Sequence, residues 1–165
     1  MKFIFQELGQ SAIQIIDGDR GKNYPKGNEF LSDGYCLFLS AKNVTSDGFS
    51  FSERQFISKE KDSLLHKGKL QYKDIILTTR GTVGNVAYFD NNVPYSNIRI
   101  NSGMVIVRPD IAVFDSEFVY WLFRSSIVQH QISQLCSGTA QPQFPISSMK
   151  HLIIPVPEIN VQKAI

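Results

Sequence analysis

QYKDIILTTRGTVGNVAYF, residues 71–89, is the stretch from which the rest of the chain can be read. Ile75, Ile76 and Leu77, and then Val86, Ala87 and Tyr88, form two β-rich runs. Between them lie Arg80-Gly81-Thr82-Val83-Gly84, whose glycines admit the positive φ of a tight turn. The stretch predicts a β-hairpin, followed by a second turn at Asp90-Asn91-Asn92. IRINSGMVIVRP, residues 98–109, continues in β-branched residues and predicts a strand around residues 104–107, stopped at Arg108-Pro109. The middle third therefore reads as a curved sheet.

Upstream, short apolar runs alternate with turn signals: AIQII before DGD, YCLFL before SAKNV, then SDGFSF. Short strands and long loops follow from that pattern. Residues 58–66 (SKEKDSLLH) predict a short helix with a Ser start and a Gly68 stop. Downstream, Asp115 or Ser116 opens a helix with Phe118, Val119, Trp121 and Leu122 on one face; Ile127, Val128, Ile132 and Leu135 continue it toward Gly138, with a bend at Ser125-Ser126. Residues 126–138 hold no Asp, Glu, Lys or Arg, so this half is expected to be covered on more than one side. The closing EINVQKAI begins a further amphipathic helix. The expected class is α+β: a twisted or curved, mainly antiparallel sheet with loops and a few flanking helices, ending at the start of a helix.

Composition narrows the functional classes. The chain has 165 residues, 42% hydrophobic and 19% charged, which fits one globular domain and argues against disorder. A net charge of +2 does not announce a polyanion binder, but residues 67–108 carry six basic residues against two acidic ones, a local +4 between slightly acidic flanks. A one-sided polyanion surface would look like this; a solvated face of a neutral protein is the commoner cause. Cys36 and Cys136 make no Cys-x-x-Cys pair, which argues against a zinc site and a disulfide framework, and both read as buried thiols. With no signal-like leader and no long apolar run, a cytoplasmic location without membrane contact is expected.

Tests for an active site fail. Asn92-Val93-Pro94-Tyr95 is similar to the Asn-Pro-Pro-Tyr loop of amino-methyltransferases, but its second position departs and no Gly-rich cofactor loop precedes it. Ser58 to Lys61 and Ser147 to Lys150 match Ser-x-x-Lys without the companion elements of that chemistry. His66, His130 and His151 form no metal motif, and turn formation is the commoner reason for Asp17 and Asp19. No Glu-x-Lys is present, which disfavours nuclease chemistry. No catalytic residue and no metal ligand is assigned. What remains is the loop at residues 78–85, where two glycines allow close backbone approach to a phosphate and Arg80 can fork onto a phosphate or a guanine edge. A hairpin turn needs the same glycines without binding anything.

With that loop and the terminal GTAQPQFPISSMKHLIIPVPEINVQKAI, the chain resembles the target recognition domain of a type I restriction-modification specificity subunit. In that family a Gly-Ser/Thr-x-Gln-Pro stretch, a short helical turn, an Ile-Pro-hydrophobic-Pro strand and a Glu/Gln-bearing segment lead into a long helix. Here these fall at residues 138–142, 147–152, 153–157 and 158 onward. The resemblance implies a recognition domain over residues 1–157 and the start of a spacer helix over 158–165. The family's subunits usually carry two such domains, so a fragment, a truncated product or a half-subunit pairing with a second copy are all open.

The resemblance further implies a non-catalytic reader of one half of a bipartite double-stranded DNA target. A separate methyltransferase subunit would use S-adenosylmethionine, and a restriction or motor subunit would use ATP and magnesium; the domain itself would hold no cofactor. By chemistry, the candidate DNA contacts are Arg80, Thr82 and Asn85, with Asn97 and Arg99 nearby in sequence. Lys22, Lys26, Lys42 and Asn43 in the first third join them, as do Gln141 and Gln143, since Gln can pair with adenine. For the lysines a solvated surface charge is the commoner role, and Gln141 could instead serve a subunit junction. Residues 126–136 and Trp121 are assigned to core or subunit contact. Two alternatives stay open: a domain of the same fold that binds no DNA, and an adenine methyltransferase fragment using residues 92–95.

Overall fold

The computed structural model describes residues 3–138 and 140–165. Thr139 of the Gly-x-x-Gln-Pro stretch, with Met1 and Lys2, lies outside the described residues. The strands and helices run β1 (Ile4–Glu7), β2 (Ile13–Asp17), β3 (Cys36–Phe38), β4 (Val44–Thr45), β5 (Gly48–Phe49), β6 (Phe56–Ile57) and α1 (Lys59–Leu64). They continue with β7 (Ile75–Thr78), β8 (Val86–Tyr88), β9 (Ile98–Arg99), β10 (Met104–Pro109), α2 (Ser116–Arg124), α3 (Ser126–Leu135), α4 (Ile146–Met149), β11 (Ile153–Val156) and α5 (Ile159–Ala164).

The largest sheet has four strands in the order β2-β10-β7-β8, every pairing antiparallel. Its central runs are apolar without interruption because both faces are covered. Ile75, Leu77, Val105 and Val107 point to one side, against Phe118, Val119, Leu122 and Phe123 of α2 and Val128 and Ile132 of α3. Ile76, Met104 and Ile106 point to the other, against Leu37, Leu39, Val44, Ile98 and Ile100. Side-chain alternation thus sorts one hydrophobic run into two cores. Phe114, Phe123 and Phe144 are fully buried, and each such side chain contributes roughly 1.5–3 kcal/mol.

A second sheet, β6-β3-β9, packs over that far face; its β3–β9 pairing is parallel, the exception in a mainly antiparallel fold. The hairpin β4–β5 lies beside β8, and β1 pairs antiparallel with β11, setting Ile4 opposite Val156. No helix among the described residues is long and apolar enough to cross a membrane.

Local signals were mostly followed, with informative departures. Ser58 caps α1, its hydroxyl accepting from Lys61 N, which accounts for that Ser-x-x-Lys spacing. The helix stops at Leu64, before Gly68, because Leu65 is already extended. Asp115 caps α2 by accepting from Phe118 N. Ser125, at φ −71° and ψ 158°, ends α2 and starts α3, so the expected bend is a break between two helices. Pro109 ends β10 opposite Ile13, past the last residue paired to β7, where its missing N–H costs no ladder bond there.

Three expectations are corrected, the third in part. Charge-free α3 is covered on one side only: Val128 and Ile132 are buried, while Ile127, His130, Ser133 and Gln134 face outward. Its polar face is solvated by amides and hydroxyls instead of charges. Of the two cysteines only Cys36 is buried, its thiol pushed up to about 12 by burial; Cys136 is half-exposed. Of the two roles assigned to Trp121, core or subunit contact, the first is excluded, since it is 54% exposed at the rim of an apolar groove with Phe3, Phe5 and Ile127.

Candidate nucleic-acid interface

Strand direction gathers the polar loops. β2 and β7 both run antiparallel to β10, so the segment after β2, the turn after β7 and the turn before β10 meet at one end of the sheet. β3 runs parallel to β9 and sends its following segment toward the same end. Close backbone approach is required there: a Cβ on Gly18 would lie 2.5 Å from the carbonyl oxygen of Asn101.

The turn itself is braced from three sides. Gly84 has φ +96°, and its carbonyl accepts from Nε2 of Gln129 on α3 at 2.9 Å. A Cβ there would come within 3.0 Å of Gln129 Oε1, so both backbone conformation and space favour glycine. Thr79 and Arg80 both direct their N–H groups to Gly103 O. Residues 142–144 then lie antiparallel alongside, with Gly81 N donating to Pro142 O and Phe144 N to Thr79 O. This makes Arg80 and Gln143 cross-strand partners.

Arg80 and Gln143 line a cleft of about 270 Å³ together with Asp17, Arg20, Thr79 and Ser147. Arg20 was not among the sequence candidates. Its Nε and Nη2 engage the carboxylate of Asp17, and Nη2 also donates to Ser102 O. The signal was present as Asp-Gly-Asp-Arg, but the ends of β2 and β10 come together only through the sheet register. Asp17 and Asp19 are both spent locally, Asp19 accepting from Gly21 N and His66 N; the His66 bond, chiefly, holds its carboxyl below the usual range.

The six arginines separate sharply. Arg54 donates to the Tyr95 hydroxyl, Arg108 forks onto buried Asp74, and Arg124 donates to Val86 O and Ser46 O while lying over the rings of Tyr120 and Trp121. Arg99 and Arg20 are likewise occupied. Among the described residues only the Arg80 guanidinium has no hydrogen-bond or carboxylate partner, and it is exposed.

The other candidates divide by what their side chains already do. Arg99 is corrected: it is 7% exposed, bound to Asp62 and to the carbonyls of Lys67, Asp62 and Leu65, and cannot reach a ligand without unfolding its surroundings. Asn43 is corrected too, at 1% exposure, with Oδ1 accepting from Ser40 N and Nδ2 donating to the carbonyls of Ser50 and Glu53. Asn85 spends Nδ2 on Val44 O, tying the turn to β4. Asn97 lies at the far end of β9, half-buried, with its carbonyl taken by Leu37 N. Lys42 pairs with Glu53 at 2.6 Å on the surface. Lys22, Lys26, Thr82 and Gln141 are exposed. The structure brings Gln143 beside Arg80 in one cleft; Asn85, on the same turn, lines a separate hollow with Ser46, Arg124 and Gln129, and Asn97 lies at the opposite end of β9.

Residues 92–95 form no cofactor loop: Asn92 folds onto Asp90, and Tyr95 packs against Phe51 and Phe56. Among the described residues, no group of three His, Cys, Asp or Glu side chains could hold a metal ion. The end of the molecule is thus equipped with hydrogen-bond forks and a cation, the chemistry that meets phosphates and base edges.

Comparison with known proteins bears on the fold and the family. The chain is 24% identical over 152 residues to the Type I restriction enzyme EcoKI specificity subunit of Escherichia coli (strain K12), covering 88% of this chain and 32% of that one. It is 23% identical over 135 residues to the Escherichia coli EcoBI specificity subunit, covering 82% and 28%. The chain therefore spans about a third of the length of these relatives. Among solved structures, the type I S subunit from M. genitalium superimposes with a TM-score of 0.66 at 16% identity over 99% of this chain and 37% of that one. The HsdS subunit from Thermoanaerobacter tengcongensis does so with 0.67 at 19% identity over 98% and 35%. Residues 13–165 match the family described as the type I restriction modification DNA specificity domain, and the chain belongs to that family.

Proposed function

We propose that this domain binds double-stranded DNA and reads one half of a bipartite target as the specificity component of a type I restriction-modification complex. It directs a separate methyltransferase subunit and a restriction subunit, and supplies no catalytic group of its own. S-adenosylmethionine, ATP and magnesium belong to those partners. Residues 1–157 form the reading domain and residues 158–165 the start of a spacer helix.

The observation that carries the reading is Arg80, the arginine left without a partner among the described residues, exposed in a cleft beside Gln143. An unpaired guanidinium at a rigid turn is available to a phosphate or a base at no cost in broken protein contacts. Arg20, already held by Asp17, is suited to a phosphate; Lys22, Lys42 and Gln141 lie on exposed segments and add sequence-independent contacts.

Titrating the chain with a duplex pool at several salt concentrations tests this. Log affinity is expected to fall with log salt by about 0.9 per phosphate neutralised. Affinity that is absent, or indifferent to salt, would overturn the reading in favour of a domain of this fold that contacts only protein.

A further inference from the structure

The pairing of Arg80 with Gln143 has a geometry that specifies how many base pairs it spans. Gly81 N bonds Pro142 O at 3.1 Å and Phe144 N bonds Thr79 O at 2.8 Å, while Arg80 and Gln143 exchange no backbone bond with each other. This is the close type of antiparallel pair, with Cα atoms about 4.5 Å apart and both side chains on one face. The other edge of Gln143 is fixed as well: it exchanges two backbone bonds with Ser137, at 2.8 and 2.9 Å. Neither side chain makes a hydrogen bond among the described residues, and both line the same cleft.

B-DNA rises about 3.4 Å per base pair. Two side chains rooted about 4.5 Å apart on neighbouring extended segments therefore match the spacing of adjacent base pairs, whose edges the major groove exposes. A guanidinium fork matches guanine O6 and N7, and a carboxamide matches adenine N6 and N7. Arg20 cannot serve as a second base reader, because Nε and Nη2 are committed to Asp17 and Ser102.

We propose that Arg80 and Gln143 read two adjacent base pairs in the major groove, Arg80 a guanine and Gln143 an adenine. This rests on the DNA-binding reading above and assigns it a dinucleotide step. It also assigns Gln143, and not Gln141, as the glutamine that reads a base.

Selection from a randomised duplex pool by the wild-type chain, Arg80→Lys and Gln143→Leu tests the assignment, with a salt titration of the unselected pool run in parallel. The wild type is expected to enrich a motif containing a guanine and an adenine at adjacent base pairs. Arg80→Lys keeps the charge but loses the fork, so only the guanine position is expected to lose its preference, by roughly 5- to 150-fold; Gln143→Leu is expected to do the same at the adenine alone. Both side chains are exposed and unbonded among the described residues, so both variants are expected to melt with the wild type, which the same preparations check. A motif unchanged in both variants, or the two affected letters separated by other base pairs, would overturn the assignment while leaving DNA binding intact. Salt-indifferent behaviour of the wild type would overturn the DNA-binding reading and this one with it.

Discussion

Arg80 and Arg99 lie in the same basic stretch of sequence, yet they occupy regions built on opposite principles. Around Arg99, α1 supplies Asp62, which also holds Lys69, and three carbonyls complete the guanidinium's bonds. Around Arg80, backbone bonds from Gly103, Pro142 and Thr79 fix the main chain and leave the side chain unused. In one region the backbone is organised by the charge; in the other the charge is presented by the backbone. The difference teaches that a cluster of basic residues is informative only after the internal acceptors have been counted.

The contrast can be broken most severely at the buried end. Arg99→Ala leaves Asp62 short of a partner in a mostly buried site and is expected to cost about 3–5 kcal/mol in urea unfolding. A loss below 1 kcal/mol would mean the pair is not holding α1 to β9. The same pair predicts a pH limb. Burial works to raise the Asp62 pKa, but hydrogen bonds from Lys69 and Arg99, with their charges, outweigh it and lower the pKa below the ordinary 3.8. A lowered folded-state pKa contributes stability that is complete above the unfolded value and is lost as pH falls through the folded one. Unfolding followed from pH 6 downward should therefore show stability falling below about pH 4, with a shallower fall in Asp62→Asn.

Next in size, Arg80→Ala is expected to leave unfolding within about 0.5 kcal/mol of wild type and to weaken binding to the selected duplex by about 1–3 kcal/mol. Equal loss on every duplex would make Arg80 a phosphate contact. Smallest is Arg20→Ala, which should lower affinity uniformly across sequences and reduce the salt slope by about 1. A sequence-selective loss there would place Arg20 among the base readers.

Much of this fold could be read from the chain because its signals are local. The β7–β8 hairpin follows from apolar runs around a glycine turn, and the starts of α1 and α2 from Ser58 and Asp115 at cap positions. What could not be read depends on residues distant in sequence. Asp62 finds Arg99 across 37 positions, and Asn43, a plausible base reader by residue type, is consumed by two carbonyls of its own loop. A charge-free helix looked doubly covered, but half-buried Gln129 and Gln131 spend their amides on backbone groups at the edges of its buried face, and the outward face is left to Ile127, His130, Ser133 and Gln134. For the candidate site, the glycine turn and Gln143 were visible separately. Their adjacency was not, since it is created by the return of residues 142–144 onto the turn.

The ladder between β1 and β11 bears on how such a domain can be exchanged. Ile4 faces Val156, so a polypeptide passing through the domain enters and leaves at neighbouring points. Paired flanks of this kind are the geometry that insertion of a unit into a longer path requires, since neither side has to change direction. The two-strand ladder is then the hinge plate of the domain, where its ends are fastened to each other.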